Sequence, residues 1–155
     1  MRSKLLVSLL TLVVAVSVKA QNQRHELGII LGEPTGLSYK YWLSTASAIH
    51  TSAAWSFFPD QLFDLHTDYQ IHLFNTFTMP KGSLPVFFGA GITLRAAADR
   101  TVLGLRAITG LNYYFEKVPI ALFCELAPRF DLIPTTGAGL NGGIGIRYCF
   151  NPQSK

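Results

Sequence analysis

The feature that most constrains the fold is a strict alternation of residue types over residues 63–74, FDLHTDYQIHLF. One set of alternate residues is large and mostly apolar: Phe63, Leu65, Thr67, Tyr69, Ile71 and Leu73. The other set is charged or polar: Asp64, His66, Asp68, Gln70 and His72. Because successive side chains of a strand point to opposite faces, the alternation predicts one β-strand with an apolar face and a polar face. About ten such residues can cross a bilayer when the strand is tilted.

Similar segments recur along the chain and together predict eight strands. The other seven are expected at His25–Gly32, Leu37–Ser44, Ala48–Phe57, Pro85–Ala96, Thr101–Phe115, Ile120–Phe130 and Ala138–Phe150. Short connections separate them, including 131–137, and the longest connection, 76–84, is expected on the side of the two termini. Hairpin-length connections favour an up-and-down order. We therefore predict an all-β protein, an eight-stranded antiparallel up-and-down transmembrane β-barrel.

Residues 1–20 have the pattern of a secretory signal peptide. Arg2 and Lys4 are basic, residues 5–16 are mainly apolar, and residues 18–20 are a small-x-small cleavage sequence. The apolar part is too short for a transmembrane helix. We expect a signal peptide at 1–20 and one outer-membrane β-barrel domain at 21–155.

Residue size indicates which face of the barrel is outside. A soluble lipocalin-like carrier also has eight strands, but its apolar face lines an inner cup. Here the polar face contains many small residues, such as Gly28, Ser38 and Gly91, which suit the narrow interior of an eight-stranded barrel. Charged residues make up only 14% of the chain, against about 25% in soluble domains. The apolar face is therefore expected to meet lipid.

The charged residues of the polar face nearly balance, so we expect them to pair inside the barrel. An unpaired charge there would cost several kcal/mol. The predicted interior network consists of Glu26, Lys40, His50, Asp64, His66, Asp68, His72, Arg95, Arg106, Glu125 and Arg147.

Aromatic residues are frequent near the strand ends, where transmembrane barrels carry girdles at the two lipid–water interfaces. The predicted girdle consists of Tyr39, Tyr41, Trp55, Phe57, Phe88, Tyr113, Tyr148 and Phe150, and we also expect Phe74, Tyr114 and Phe115 in it. The alternative is the ordinary aromatic content of β-strands.

The best candidates for a metal site are His66, Asp68 and His72, with His50 on the neighbouring strand. Alternate residues of a strand lie about 7 Å apart, and residues six apart about 20 Å, so His66 and His72 cannot share an ion. A site would require His50, His66 and Asp68 to converge across strands. We favour a hydrogen-bond network and assign no metal, cofactor or catalytic residue.

Other reactive residues point to no activity either. The serines of the polar face, Ser38, Ser44, Ser52 and Ser56, show no evident triad with a base. Strand parity places Cys124 and Cys149 on opposite faces, so free thiols are expected. The net charge of +4 is scattered, which argues against nucleic-acid binding.

Two segments, LGIILGEPTGLSYKYWL (27–43) and GGIGIRYCF (142–150), carry a resemblance to a known class. The chain from residue 21 onward resembles the small outer-membrane β-barrels of Gram-negative bacteria, of the outer-membrane-protein-A transmembrane-domain type. The resemblance implies location in the outer membrane and a final strand that the barrel-assembly machinery reads during biogenesis.

The leading functional hypothesis is a non-enzymatic, monomeric outer-membrane barrel with a structural or membrane-integrity role. Its expected partners are outer-membrane lipid and the assembly machinery. The narrow interior argues against a wide porin-like pore. Two alternatives stay open, a soluble periplasmic lipocalin-like carrier of an apolar ligand and a barrel enzyme that modifies lipid A.

Overall fold

The computed structural model describes residues 24–57 and 61–150, which form a closed barrel of eight strands. The strands are β1 Arg24–Glu33, β2 Thr35–Trp42, β3 Ser47–Ser56, β4 Leu62–Leu73, β5 Val86–Ala96, β6 Thr101–Tyr114, β7 Ile120–Ile133 and β8 Gly137–Phe150. Each strand pairs antiparallel with the next, and β8 closes the barrel by pairing with β1. The predicted eight-stranded up-and-down barrel is confirmed. The proposed signal peptide lies outside the described residues.

One predicted boundary is wrong by more than two residues. The sequence places 131–137 in a loop, but β7 continues to Ile133 and β8 begins at Gly137. The reason is that Asp131 points into the barrel and pairs with Arg95 and Arg129, which extends the strand beyond Phe130.

The strands alternate between buried and exposed residues, and the apolar face is the outer one. On β4, Asp68 is fully buried whereas Tyr69 is 49% exposed. Inward-facing glycines let the strands approach closely where the interior is full. A Cβ atom on Gly28 would overlap the carbonyl oxygen of Ile146, and one on Gly145 would overlap the ring of Phe123.

The two ends of the barrel differ in their connections. We call the end where β1 begins and β8 ends the terminal end, and the opposite end, where Pro34 joins β1 to β2, the loop end. The longest connection, 74–85, lies at the terminal end, as predicted. It is fixed to β6 by two backbone hydrogen bonds between Ser83 and Tyr114, with N···O distances of 3.0 and 2.8 Å. The structure, over the ranges given above, contains no helix of the length and apolar character that a bilayer crossing requires.

Candidate functional site: the charged barrel interior

Every residue of the predicted interior set is buried. The most exposed of the eleven is Arg95, at 8%, and Lys40, His50, Asp68 and Arg147 are wholly inaccessible. A charge that is buried in the barrel interior needs a partner, so the contacts of each group indicate which chemistry the interior can support.

At the terminal end, Glu26 is the hub of a polar cluster. One carboxylate oxygen, Oε1, accepts hydrogen bonds from Trp42 Nε1 at 2.6 Å and from Tyr114 Oη at 2.9 Å. The other oxygen, Oε2, lies 3.8 Å from Arg147 Nη1. Glu26 therefore anchors β2, β6 and β8 from its position on β1.

Two residues expected in the outer girdle belong to this inner cluster instead. Tyr114 points inward to Glu26, and Phe74 packs against Trp42 with ring centroids 6.0 Å apart. Phe74 directly follows β4 and Tyr114 is the last residue of β6. Both continue the inward positions of His72 and Asn112, so strand parity indicates the inner side and the expectation of a girdle position is wrong for these two residues. Phe115 is exposed and packs against Tyr113.

The two wholly buried cations at this end lie over aromatic rings. Lys40 Nζ is 5.1 Å from the ring centroid of Phe87 and 3.0 Å from His72 Nε2. Arg147 Cζ is 3.5 Å from the ring centroid of Phe123. The negative faces of these rings attract the cations, and the attraction strengthens when water is excluded.

A row of hydrogen-bonded groups leads from Arg147 to the middle of the barrel. Arg147 Nε donates to Ser38 Oγ at 2.8 Å, and Ser38 Oγ lies 2.9 Å from His50 Nε2. His50 Nδ1 lies 3.3 Å from Asp68 Oδ2. Arg106 extends the row by ion pairs that lack hydrogen-bond geometry, with Nε 3.1 Å from Asp68 Oδ1 and Nη2 3.5 Å from Glu125 Oε1.

Part of this row has the order of a hydrolase triad, Ser38–His50–Asp68, although the sequence showed no triad around the polar-face serines. The order alone does not make a catalytic centre. Ser38 has no exposed surface, and its Oγ also accepts a hydrogen bond from Arg147. A substrate carbonyl cannot approach that oxygen while the barrel is closed, so the row is suited to holding strands together rather than to acyl transfer.

A second group of polar side chains meets the row at Asp68. His66 Nδ1 lies 2.7 Å from Asp64 Oδ1, and Thr93 Oγ1 lies 3.4 Å from both oxygens of Asp64. One candidate ligand atom from each of His50, His66 and Asp68 lies within 4.8 Å of the others. The convergence that a metal site would require is therefore present. His72, on the same strand, contacts Lys40 instead.

At the loop end, sequence reasoning missed two charged residues. Asp131 Oδ2 lies 2.6 Å from Arg95 Nη2 and 2.9 Å from Arg129 Nη1. Arg129 Nε also donates to Asn141 Oδ1 at 3.1 Å. The signal was available, because Ala127, Arg129 and Asp131 continue the inward positions of β7 beyond Pro128. The loop predicted at 131–137 left Asp131 out of the strand.

The expected girdle residues lie on the outer face but are divided unequally between the ends. Tyr39, Tyr41, Phe88, Tyr113, Tyr148 and Phe150 lie towards the terminal end, and Trp55 and Phe57 lie at the loop end. Several rings pack edge to face, including Tyr148 with Phe150 and Trp55 with Phe63.

The two cysteines are free and follow the predicted parity. Cys124 is exposed on the outer face, whereas Cys149 is half-buried on the inner side of β8.

Comparisons with known proteins identify the fold. No protein-family model matches the sequence, and no curated protein matches it. Among solved structures, the N-terminal β-barrel domain of OprF from Pseudomonas aeruginosa is similar, with a TM-score of 0.63 and 17% identity over 83% of this chain and 96% of that one. A barrel from the de novo design of transmembrane β-barrels has a TM-score of 0.56 and 16% identity, over 82% and 95% of the two chains. Neisserial surface protein A has a TM-score of 0.53 and 13% identity, over 83% and 94%. The chain therefore has the fold of the small transmembrane barrels, as the sequence resemblance implied.

Proposed function

We propose that the chain is an integral outer-membrane β-barrel with a structural, non-enzymatic role in the membrane. The observation that carries the proposal is the inversion of the usual protein pattern. Large apolar side chains cover the outside of the closed barrel, and charged side chains fill its inside.

The outer surface is suited to lipid rather than to water. Within 24–57 and 61–150, thirty-one large hydrophobic residues are exposed, and they include Leu105 at 50%, Leu126 at 56% and Ile144 at 64%. Soluble monomers rarely expose a continuous apolar patch of more than a few hundred Å². Hydrocarbon surrounding this face removes that exposure, and the closed hydrogen-bonded barrel leaves no strand edge unpaired in lipid.

The structure gives no support to the carrier hypothesis. A lipocalin-like carrier needs an apolar inner cup, whereas the inward residues here include eleven charged or histidine side chains that are buried. The buried apolar core cluster is small and consists of Phe87, Ile108 and Ala127. The enzyme hypothesis is disfavoured because Ser38 is inaccessible and held by Arg147.

The proposed location and biogenesis rest on the sequence and on the structural similarity to known barrels. A signal sequence at 1–20 would direct export, and the barrel-assembly machinery would insert the chain by recognising β8, which ends at Phe150. OprF and Neisserial surface protein A, whose barrels are similar, come from Gram-negative bacteria. We propose that the barrel is a monomer whose partners are outer-membrane lipid and this machinery.

The structural role follows from the filled interior. Cross-strand contacts link Glu26 to Arg147, Asp68 to Arg106, and Asp131 to Arg95, and a further ion pair within β7 joins Asp131 to Arg129. We propose that this network stabilises the barrel as a packed core does in a soluble protein, and that the outer aromatic residues anchor it at the two interfaces.

The direct test is to refold the mature chain in detergent and compare boiled and unboiled samples on a denaturing gel. A closed membrane barrel is expected to migrate differently before and after boiling, and to form no soluble monomer in plain buffer. A chain that stays monomeric and soluble without detergent would contradict the proposal. A second test replaces both native cysteines (Cys124→Ser and Cys149→Ser) and attaches a probe to a cysteine introduced by Leu105→Cys. This probe should report a hydrocarbon environment in vesicles.

A further inference from the structure

We infer that His50, His66 and Asp68 form a binding site for a divalent transition-metal ion of the zinc type inside the barrel. Two imidazoles and one carboxylate are a donor set that such ions favour, and hard ions such as Mg²⁺ and Ca²⁺ prefer oxygen donors alone.

The strand register explains how the three side chains meet. His50 on β3 lies directly opposite Asp68 on β4, and Ser52 lies opposite His66. All three residues point inward and are at most 3% exposed. Donor atoms around a tetrahedral Zn²⁺ lie about 3.3 Å apart, since each bond is about 2.0 Å long. The donors here lie within 4.8 Å of one another, so rotation of side chains can bring them to that spacing.

The hydrogen bonds of His66 point to a ligand. Its Nδ1 lies 2.7 Å from Asp64 Oδ1, so this nitrogen carries the proton and donates to the carboxylate. The other nitrogen, Nε2, then has a lone pair, and it is buried without a hydrogen-bond partner among the described residues. Carboxylate–histidine–metal arrangements have this form, in which the carboxylate orients the ring and raises its basicity. Asp64 is therefore a positioning residue.

His50 and Asp68 each have one atom available for the ion and another atom held elsewhere. His50 Nε2 can donate to Ser38 Oγ, 2.9 Å away, which leaves Nδ1 free on the side of Asp68. Asp68 Oδ2 faces His50, whereas Oδ1 faces Arg106 at 3.1 Å. The ion can therefore bind at Oδ2 while the ion pair with Arg106 remains.

The surrounding charges can accommodate a dication. Asp64, Asp68 and Glu125 are negative groups close to the site, and Arg106 is the cation in direct contact with it. The ion would link β3 to β4 in the barrel interior, and it would enter during folding because the ligands have almost no exposed surface.

The chain offers a matched experiment, because it contains four histidines and only two are in the cluster. The untagged mature protein is refolded in detergent with Zn²⁺, separated from free ion, and assayed for bound metal by mass spectrometry. Replacement with Co²⁺ gives a visible absorption spectrum that reports four-coordinate geometry. The variants are His50→Gln, His66→Gln, His72→Gln and His25→Gln, with Cys124→Ser as a control for the exposed thiol. Heat-modified gel mobility shows which variants form the barrel.

We expect the wild-type protein to retain one Zn²⁺ per chain and to show a higher unfolding midpoint with the metal. His50→Gln and His66→Gln should lose the bound ion and this shift, whereas His25→Gln, His72→Gln and Cys124→Ser should keep both. Wild-type protein that retains no more Zn²⁺ than a detergent blank would overturn the inference. So would loss of binding in His25→Gln or Cys124→Ser, which would show adventitious surface binding. If the cluster variants do not fold, the Co²⁺ spectrum of the wild-type protein tests the inference instead. A four-coordinate spectrum supports the site, and the six-coordinate spectrum of aqueous Co²⁺ overturns it.

Discussion

The two ends of the barrel interior hold their charges in different ways. At the terminal end, Lys40 and Arg147 are wholly buried and are stabilised by aromatic rings and by hydrogen bonds to neutral groups, with Glu26 at 3.8 Å from Arg147. At the loop end, Arg129 and Asp131 are 18% and 15% exposed and form a short direct ion pair. At the terminal end, where water is excluded, rings and hydrogen bonds surround each of these two cations. At the loop end, where water reaches Arg129, its partners are the carboxylate of Asp131 and the amide oxygen of Asn141.

The largest expected effect comes from removing the hub of the terminal end. Glu26→Ala leaves Arg147 without its carboxylate and leaves Trp42 Nε1 and Tyr114 Oη unpaired. The free energy of unfolding in detergent should fall by about 3–5 kcal/mol, as for other buried ion pairs that lose one partner. Urea titration measures it, and Glu116→Ala, an exposed residue at the same end, is the control. Equal stability of the two variants would mean that water reaches this cluster.

The middle of the barrel should show a somewhat smaller effect, because Arg106 contacts two carboxylates there and keeps Asp68 when Glu125 is replaced. Arg106→Leu and Glu125→Leu should each lower the free energy of unfolding by about 3 kcal/mol. The double variant should lose less than the sum, since Glu125 is no longer left buried without Arg106 and Asp68 alone loses its cation. Unchanged unfolding midpoints in both single variants would show that the polar face is solvated.

Close packing at the terminal end can be tested without any change of charge. Gly28→Ala places a methyl group against the backbone of β8, and overpacking of this kind costs about 1–3 kcal/mol. Gly137→Ala, at the loop end, is the matched variant, since its new Cβ would meet nothing closer than Asp131 Oδ2 at 3.6 Å. Unfolding midpoints of the two variants give the measurement, and a larger loss in Gly137→Ala would reverse the comparison.

The smallest effect is expected for the ion pairs of the loop end. Asp131→Asn should lower the free energy of unfolding by about 1 kcal/mol, because Arg129 and residue 131 are partly exposed and the side-chain oxygen of Asn can still accept a hydrogen bond from the buried Arg95. The loss should shrink as salt concentration rises, since solvent ions screen accessible pairs. A loss of unfolding free energy as large as that of Glu26→Ala, and independent of salt, would show that water is excluded equally from both ends.

The alternation of residue types along each strand, which we call strand parity, predicts most of the fold and most of the residues that fill the interior. An alternation as regular as that of 63–74 assigns each residue to a face, and the inward set from Glu26 to Arg147 is found buried. Parity does not say which inward residues touch. The convergence of His50 and Asp68 depends on the register of β3 against β4, which places these two residues directly opposite each other.

Nearness to a strand end is a weaker guide than parity, which places both Phe74 and Tyr114 on the inner side. Phe74 and Tyr114 lie at the edge of β4 and β6, where the backbone turns and an aromatic ring can fold over the barrel mouth. Pro134 predicts a loop from Asp131 onward, although the inward alternation of β7 continues through Arg129 to Asp131. The partner of Asp131 on β5, Arg95, could not be predicted from the alternation, because their contact crosses the interior between strands that are not neighbours.

The central claim, that lipid meets the apolar face and charges fill the inside, can be tested with the two tryptophans of the chain. Trp55 is 53% exposed on the outer face, whereas Trp42 is 7% exposed and bonded to Glu26 inside. In vesicles of lipids brominated near the headgroups, the Trp42→Phe variant, which retains Trp55, should lose much of its fluorescence. The Trp55→Phe variant, which retains Trp42, should lose little. Strong quenching of Trp42 with none of Trp55 would contradict the assignment of the faces, and no quenching of either would contradict insertion into the bilayer.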